Sequence, residues 1–533
     1  MVSNQNFAEP SKSGVLGTVG LRHHCANLAQ KTAIIAGDTL LTYLDLYERA
    51  SRLAVGLLDR GAGPEQPVAT VLSNGIEVFE IAMAASMIDA PYLPLNWHLK
   101  ASELAFLLDD SGARVVVCGD EFIDQVNKAL LELSHSVALI ETGNGGAYEQ
   151  ILSHEKVDTS LDPGAGPELV FYTSGTTARP KGVVHAGLGS VKARAAGMQA
   201  QVALWNWSPD DVYVMSGPAY HAAHAGWGLT SLFVGATMVL PPRFDAQGFL
   251  RTIEQYRGTR SFMVPSHFIR ILELPTLDTQ ALDMSSFKLV VHGGAPCPLR
   301  VKRSIMELLP STEFYELYGA SEGGATRISP SEWLEHPGSV GRAWPGVEIK
   351  ILTDQGEPVK EGVDGVIWIK PPANQRFTYR NSPEASNEAW HDGAFSVGDI
   401  GHLDADGYLY ITDRVSDMVL WGGVNISPRE IEEVLFEHEA VVDCAVFGIP
   451  DERDGEHLMA IVELSQAQSS QAQSKSDESS MIIEKLKGHV REHLADYKVP
   501  HVWKVVAELP RDPNGKVMKR LLRLQALEDL EFE

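Results

Sequence analysis

Up to residue 413 the chain alternates short β-rich runs with helical patterns, and after Arg414 a second, shorter alternation begins. Together these predict an α/β protein, with layered, largely parallel sheets in a large N-terminal domain and a small α+β C-terminal domain. A third observation concerns Gly346 to Lys370, where Gln355-Gly356 and Asp364-Gly365 serve as turn signals. That run predicts a β-meander or small β-barrel-like subdomain inside the large domain.

In chain order, Val68–Leu72 reads as a strand and Ile76–Met87 as an apolar helix following it. Arg114–Cys118 and Lys288–His292 are further buried strands. Asp404–Gly407 sits between apolar runs and predicts a hairpin; it lacks the third ligand and terminal Glu of a calcium loop. Pro428–Phe436 predicts a helix, with proline near its start and acidic residues in its first turns. Val441–Ile449 and Leu458–Leu464 predict strands, and Ile482–Leu494 an amphipathic helix. Between them Ser465–Ser469 (SQAQS) repeats at once as Ser470–Ser474, a low-complexity polar stretch that predicts a disordered insertion over 465–480. The expected domains are residues 1–413 and 418–533.

The formal net charge of −26 argues against a broad nucleic-acid or anionic-membrane surface. Cys25, Cys118, Cys297 and Cys444 lie far apart with no metal-ligand spacing, which suits reduced thiols in a cytoplasmic enzyme. The N-terminus has neither a basic start nor an apolar run, so no signal peptide is expected, and no apolar stretch reaches the roughly 20 residues of a membrane span.

The most informative segment is Tyr172–Gly182, YTSGTTARPKG, directly after the apolar Leu169-Val170-Phe171. Five hydroxyl side chains, two glycines and two cations within eleven positions suit a strand that delivers a donor-rich loop to a polyphosphate. It is not a Walker A loop, because Pro180 and Gly182 stand where that motif needs Gly and Ser or Thr. Four further stretches follow: Tyr315–Glu322 (YELYGASE), Ser396–Asp399 (SVGD), Ile411–Arg414 (ITDR) with Gly422-Gly423 beyond it, and Leu509–Lys516 (LPRDPNGK). With the first segment and in this order, they resemble the adenylate-forming superfamily of acyl-CoA and aryl-CoA synthetases over nearly the whole chain.

The resemblance implies an ATP-dependent carboxylic acid–CoA ligase that forms an acyl-AMP and then a thioester. It implies that Thr173, Ser174, Gly175, Thr176, Thr177 and Lys181 hold phosphates and that Glu322 holds Mg²⁺. Asp399 would accept the ribose hydroxyls, Arg414 would add a ribose or phosphate contact, and Tyr318 with Gly319 would lie near adenine. Gly293, Gly294 and Ala295 would let the backbone approach nucleotide and acyl group. Lys516 would bridge the carboxylate and the α-phosphate. His221 matches the family's pocket histidine; Tyr220, Trp227, His267 and His292 would line the acyl pocket. The small domain would rotate about a hinge at 414–417, through Ser416, withdrawing Lys516 and bringing Trp421, Gly422 and Gly423 to the path of CoA. Trp421 could line that path or anchor the domain.

Two departures stand out. Ala178 replaces the loop's usual Gly, and Ser416 replaces the usual hinge Asp or Lys. If position 178 needs φ > 0, alanine costs about 1 kcal/mol. A thioesterifying half-enzyme fed by an adenylate-supplying partner, or a non-catalytic nucleotide binder, therefore stays open, as does a homodimer. Pro218–Trp227 holds no carboxylate, which disfavours amino-acid substrates and points to an apolar medium- or long-chain or ring-bearing acid.

Overall fold

The computed structural model describes residues 20–531 except 174–179, 186–188, 276–281, 354, 452, 454, 466–475, 513 and 514. Strand β1 (Val68–Val71) is the second of four parallel strands, flanked by Tyr92–Pro94 and Val115–Cys118. Helix α1 (Ile76–Met87) follows it and is buried on every side, Glu77 excepted, as its mostly apolar sequence requires; its buried Glu80 pairs with Arg49 and accepts the Tyr148 hydroxyl. Strands β2 (Phe171–Thr173) and β3 (Lys181–His185) form an antiparallel pair that brackets the phosphate-loop sequence. Helix α2 (Ala222–Val234) packs its apolar length into the main core and ends at Gly235 in the left-handed conformation, φ 90°.

The centre of the large sheet is parallel. Strand β4 (Arg260–Met263) leads into helix α3 (Pro265–Leu272), and β5 (Leu289–His292) runs beside it. Helix α4 (Leu299–Leu308) then returns the chain to β6 (Glu313–Ala320), parallel to β5. Ligands of open α/β sheets bind outside the carboxyl ends of such strands, so Ser266, Gly293 and Tyr318 start in the right place.

Residues 339–414 form a β-rich unit with its own core around Ile367, Ile369, Phe377 and Phe395. Its strand β7 (Phe377–Tyr379) completes a three-stranded sheet by pairing with β3. Strands β8 (Asp399–Leu403) and β9 (Leu409–Arg414) form the hairpin expected at Asp404–Gly407. The Gly346–Lys370 run is a hairpin of Glu348–Leu352 with Gly365–Lys370, and Gln355-Gly356 lies in its connection. Asp364-Gly365 is not a turn. Gly365 opens a strand and pairs with Gly401, where a side chain would meet the Leu352 carbonyl at 2.6 Å.

The small sheet begins with β10 (Val419–Trp421) and β11 (Val424–Ile426). Helix α5 (Pro428–Glu437) is capped by Ser427 Oγ, which accepts the Glu430 amide, with Pro428 in its first turn. Strands β12 (Val441–Asp451) and β13 (Gly455–Leu464) form a long hairpin, and helix α6 (Ser476–His493) packs on α5 through Ile482, Leu486 and Val490. Strand β14 (Val502–Val506) pairs parallel to β13, and helix α7 (Lys519–Glu531) closes the domain. Ser476–Ser480, expected in the disordered insertion, instead begin α6; residues 466–475 lie outside the described residues.

The two domains touch. The Leu299 amide donates to Glu433, 3.3 Å, and Arg300 donates to the Val441 carbonyl, 2.7 Å, joining α4 to the small domain.

Candidate active site

Lys516 reaches the large domain from a tight loop of the small one. The Lys516 amide donates to Asp512 Oδ1 at 2.9 Å, and Arg511 donates to the Gly515 carbonyl at 2.6 Å while pairing with buried Asp443. Gly515 has φ 81°, and a Cβ there would collide with Ser266 Oγ at the start of α3. Only glycine lets this loop lie against the large domain. The Lys516 ammonium keeps access to solvent, yet enclosure by the walls around it pushes its pKa down. Arg414 lowers it further, while Asp512 and Asp399 oppose the shift.

Asp399 organises the next shell of contacts. It is buried, accepts the Tyr318 hydroxyl at 2.7 Å on one oxygen and Arg414 Nε at 2.9 Å on the other. Tyr318 sits on β6, Asp399 opens β8 and Arg414 closes β9, so three strands meet at one carboxylate. Each oxygen keeps a further lone pair for an incoming hydroxyl. Burial and the Asp399 charge hold Tyr318 protonated.

Glu322 lies at the other end, beyond β6. It is buried, accepts the Tyr379 hydroxyl at 3.0 Å, and lies 3.5 Å from the Thr173 hydroxyl. Lys181 stands 5.0 Å from the centre of the Tyr379 ring. A buried carboxylate among hydroxyls is an oxygen-donor set that suits Mg²⁺, so these residues fit that ion. Tyr379 was not legible in sequence, because nothing marks one tyrosine of a short strand; pairing of β7 with β3 puts it there. Ser174, Gly175, Thr176, Thr177, Ala178 and Arg179 lie outside the described residues.

Gly293, Gly294 and Ala295 follow β5. A Cβ on Gly293 would stand 2.6 Å from the Leu317 carbonyl, and Gly294 has φ 82°. Gly319 is equally confined, with Gly324 Cα 2.8 Å from a built Cβ.

The histidines expected at the acyl pocket separate. His221 stands at the N-cap position of α2, without a side-chain capping bond, and faces Lys516; burial first and the Lys516 charge second push its pKa down to about 4, so it is neutral. Trp227 lies buried among Trp205, Trp207 and Phe262, with ring centres 5.7, 5.3 and 6.0 Å away. The Tyr220 hydroxyl has no hydrogen-bond partner among the described residues. His267 stacks on Phe244 at 3.8 Å, and burial pushes it down to about 3. His292 is fully enclosed beneath the sheet, edge-on to Phe268 at 5.1 Å and 3.7 Å from Glu316. It sits with the buried Lys302–Glu316 pair rather than with Trp227.

Gly422 and Gly423 form the two-residue turn between β10 and β11, with φ 54° and 84° and open space where side chains would start. This is the geometry that favours Gly-Gly. Trp421 stacks parallel to Tyr497 at 6.3 Å and tilts on His501 at 5.9 Å, within the small domain. Ser416 donates to Asp417 at 3.0 Å in the turn between β9 and β10. Among the described residues no helix is long and apolar enough to cross a membrane.

Residues 21–376 match the AMP-binding enzyme family and 430–516 match the AMP-binding enzyme C-terminal domain. The chain is similar to the indoleacetate–CoA ligase of Aromatoleum aromaticum, 32% identical over 92% of this chain and 94% of that protein. It is similar to the long-chain-fatty-acid–CoA ligase FadD13 of Mycobacterium tuberculosis, 30% identical over 92% and 93%. Among solved structures it resembles the anthranilate CoA ligase AuaEII bound to anthranoyl-AMP, with a TM-score of 0.83, 25% identity, and coverage of 95% and 96%.

Proposed function

This chain belongs to the AMP-binding enzyme family, and from that membership we propose that it is an ATP-dependent carboxylic acid–CoA ligase. The observation that carries the reading is Lys516, held by the small domain beside His221, Asp399 and Arg414 of the large one.

In the first step a carboxylate oxygen attacks the α-phosphorus of ATP and pyrophosphate leaves. Two anions must meet, so positioning and charge neutralisation dominate. Lys516 stands where it can bridge both anions. Neutral His221 adds no competing charge and can orient the carboxylate. Asp399 and Arg414 anchor the ribose side, with Tyr318 fixed between strands. Lys181 and Thr173 serve the β- and γ-phosphates. Mg²⁺ held by Glu322 would offset phosphate charge. In the second step the CoA thiolate attacks the acyl carbonyl and AMP leaves. Turning at 414–417 would withdraw Lys516 and present Gly422-Gly423 to the pantetheine arm.

The aromatic cluster around Trp227 supports a ring-bearing or extended apolar acid. Four free, buried cysteines support a reducing, cytoplasmic setting. Incubation with an acid panel, ATP, Mg²⁺ and CoA tests the reading: AMP and pyrophosphate should appear. ADP would refute it. Consumption of synthetic acyl-AMP with no pyrophosphate from any acid would make the chain a half-enzyme, and tight ATP binding with neither turnover a non-catalytic binder.

A further inference from the structure

Away from the active site, the ends of α5 and α6 bring together a carboxylate and the imidazoles of His489 and His493, with the His438 ring packed 5.3 Å from that of His489. His489 and His493 are one helical turn apart on α6, so their rings share a face, with centres 4.5 Å apart. Glu437 ends α5. One ligand atom from each of Glu437, His489 and His493 lies within 4.8 Å of the other two. We propose that these three residues form a zinc site that clamps the C-terminal turn of α6 to that of α5.

Hydrogen bonding prepares both rings. His489 Nε2 lies 2.9 Å from the Val434 carbonyl of α5, and His493 Nδ1 lies 2.8 Å from the His489 carbonyl. A carbonyl only accepts, so each of those nitrogens carries the proton. The other nitrogen of each ring keeps its lone pair for a metal. Ligating histidines show this arrangement, with the second N–H anchored on a carbonyl, and it fixes tautomer and orientation before any ion arrives. The Val434 bond also ties the ring of one helix to the backbone of the other.

Two imidazoles and one carboxylate suit zinc or a neighbouring divalent transition ion better than Mg²⁺ or Ca²⁺, which prefer all-oxygen sets. Zinc–ligand bonds of about 2.0–2.2 Å in a tetrahedron place ligand atoms roughly 3.3–3.5 Å apart. Closing from 4.8 Å takes a rotamer adjustment, and Glu437 and His493 are both exposed and free to make it. The fourth position would hold water. Apolar packing of Ile482, Leu486 and Val490 of α6 against the α5 core already sets the helices side by side, so the ion adds a clamp at one end rather than organising the pair.

The test uses the full chain stripped of metal. Zinc is titrated against a chromophoric chelator for wild type, His493→Ala and Glu437→Gln, with ATP and Mg²⁺ absent. Wild type should bind one equivalent more tightly than the variants, with the His493→Ala affinity lower by about tenfold or more. Zinc should also slow hydrogen exchange of α6 in wild type and not in His493→Ala. AMP formation and circular dichroism of the metal-free variants should match wild type, because neither residue lies in the catalytic machinery. Equal zinc stoichiometry and affinity in wild type and His493→Ala would overturn the site. Binding of Ni²⁺ or Cu²⁺ there without zinc would overturn the zinc assignment, and unchanged exchange of α6 would overturn the clamp.

Discussion

Replacing Lys516 by alanine should separate the two half-reactions. Around that ammonium the charges nearly balance before substrate arrives, with Arg414 beside it and Asp399 and Asp512 opposite. Substrate carboxylate and triphosphate then add only negative charge, so removing Lys516 leaves their approach uncompensated. One unit pair at about 4 Å in an effective dielectric of about 20 is worth roughly 4 kcal/mol. Loss of one preorganised group aimed at developing charge costs about 2.7–4 kcal/mol, or about 10²–10³ in rate. The two figures agree, and they set the expected loss of adenylate formation, read as pyrophosphate release without CoA. Thioester formation from supplied acyl-AMP should stay close to wild type, because Lys516 is needed only while the loop of Asp512 and Gly515 lies against Ser266. The wild-type pH profile adds a second readout. The depressed Lys516 pKa means the bridging charge is present at low pH and lost as pH rises, earlier than for an ordinary lysine at about 10.4. Lys516→Arg should remove that alkaline limb. His221, neutral down to about 4, should contribute no break near pH 6.5. Equal loss of both half-reactions in Lys516→Ala would refute the reasoning.

Gly423→Trp should do the reverse, accumulating acyl-AMP by chromatography while pyrophosphate release persists; its φ of 84° adds about 1 kcal/mol of strain, and Gly423→Asn controls for that strain. Arg300→Ala removes the 2.7 Å bond to the Val441 carbonyl that docks the domains, so adenylation should slow severalfold relative to thioesterification, for a cost of about 1–2 kcal/mol. A parallel fall in both rates would refute the docking role. Stability should fall on acidification. His24 and His267 are buried with pKa values pushed down to about 4 and about 3, so the unfolded chain binds protons at each from about pH 6.5 downward while the folded chain does not. Each withdraws about 2 kcal/mol by pH 5. The thermal midpoint should drop between pH 7.5 and 5, and less in His267→Gln; identical slopes would refute this origin.

The physical reasons for what sequence could and could not reveal differ by residue. Ile76–Met87 was legible as a helix to its last residue because its sequence is mostly apolar, its buried Glu80 being held by Arg49, and the α5 start because Pro428 and the acidic residues of the first turns suit a helix N-terminus. Asp364-Gly365 misled because glycine marks both turns and close strand contacts; here the Leu352 carbonyl, on the partner strand of the same hairpin, demands it. His292 misled similarly. A histidine at a strand end beside three small residues suits a pocket, but the side-chain alternation of a strand sends it to the opposite face, against Phe268 and Glu316. Tyr379 and the Glu437–His489–His493 cluster were illegible for another reason, since each depends on elements brought together only by packing. The i,i+4 histidine pair was visible in the chain, but a third ligand 52 positions away was not. Motifs expose groups that act within one loop; groups that act across elements appear when strand register and helix packing are fixed. The Lys516 loop belongs to both kinds. Its glycine announces a turn, while the reason for that glycine, Ser266 on the other domain, exists only in the docked arrangement.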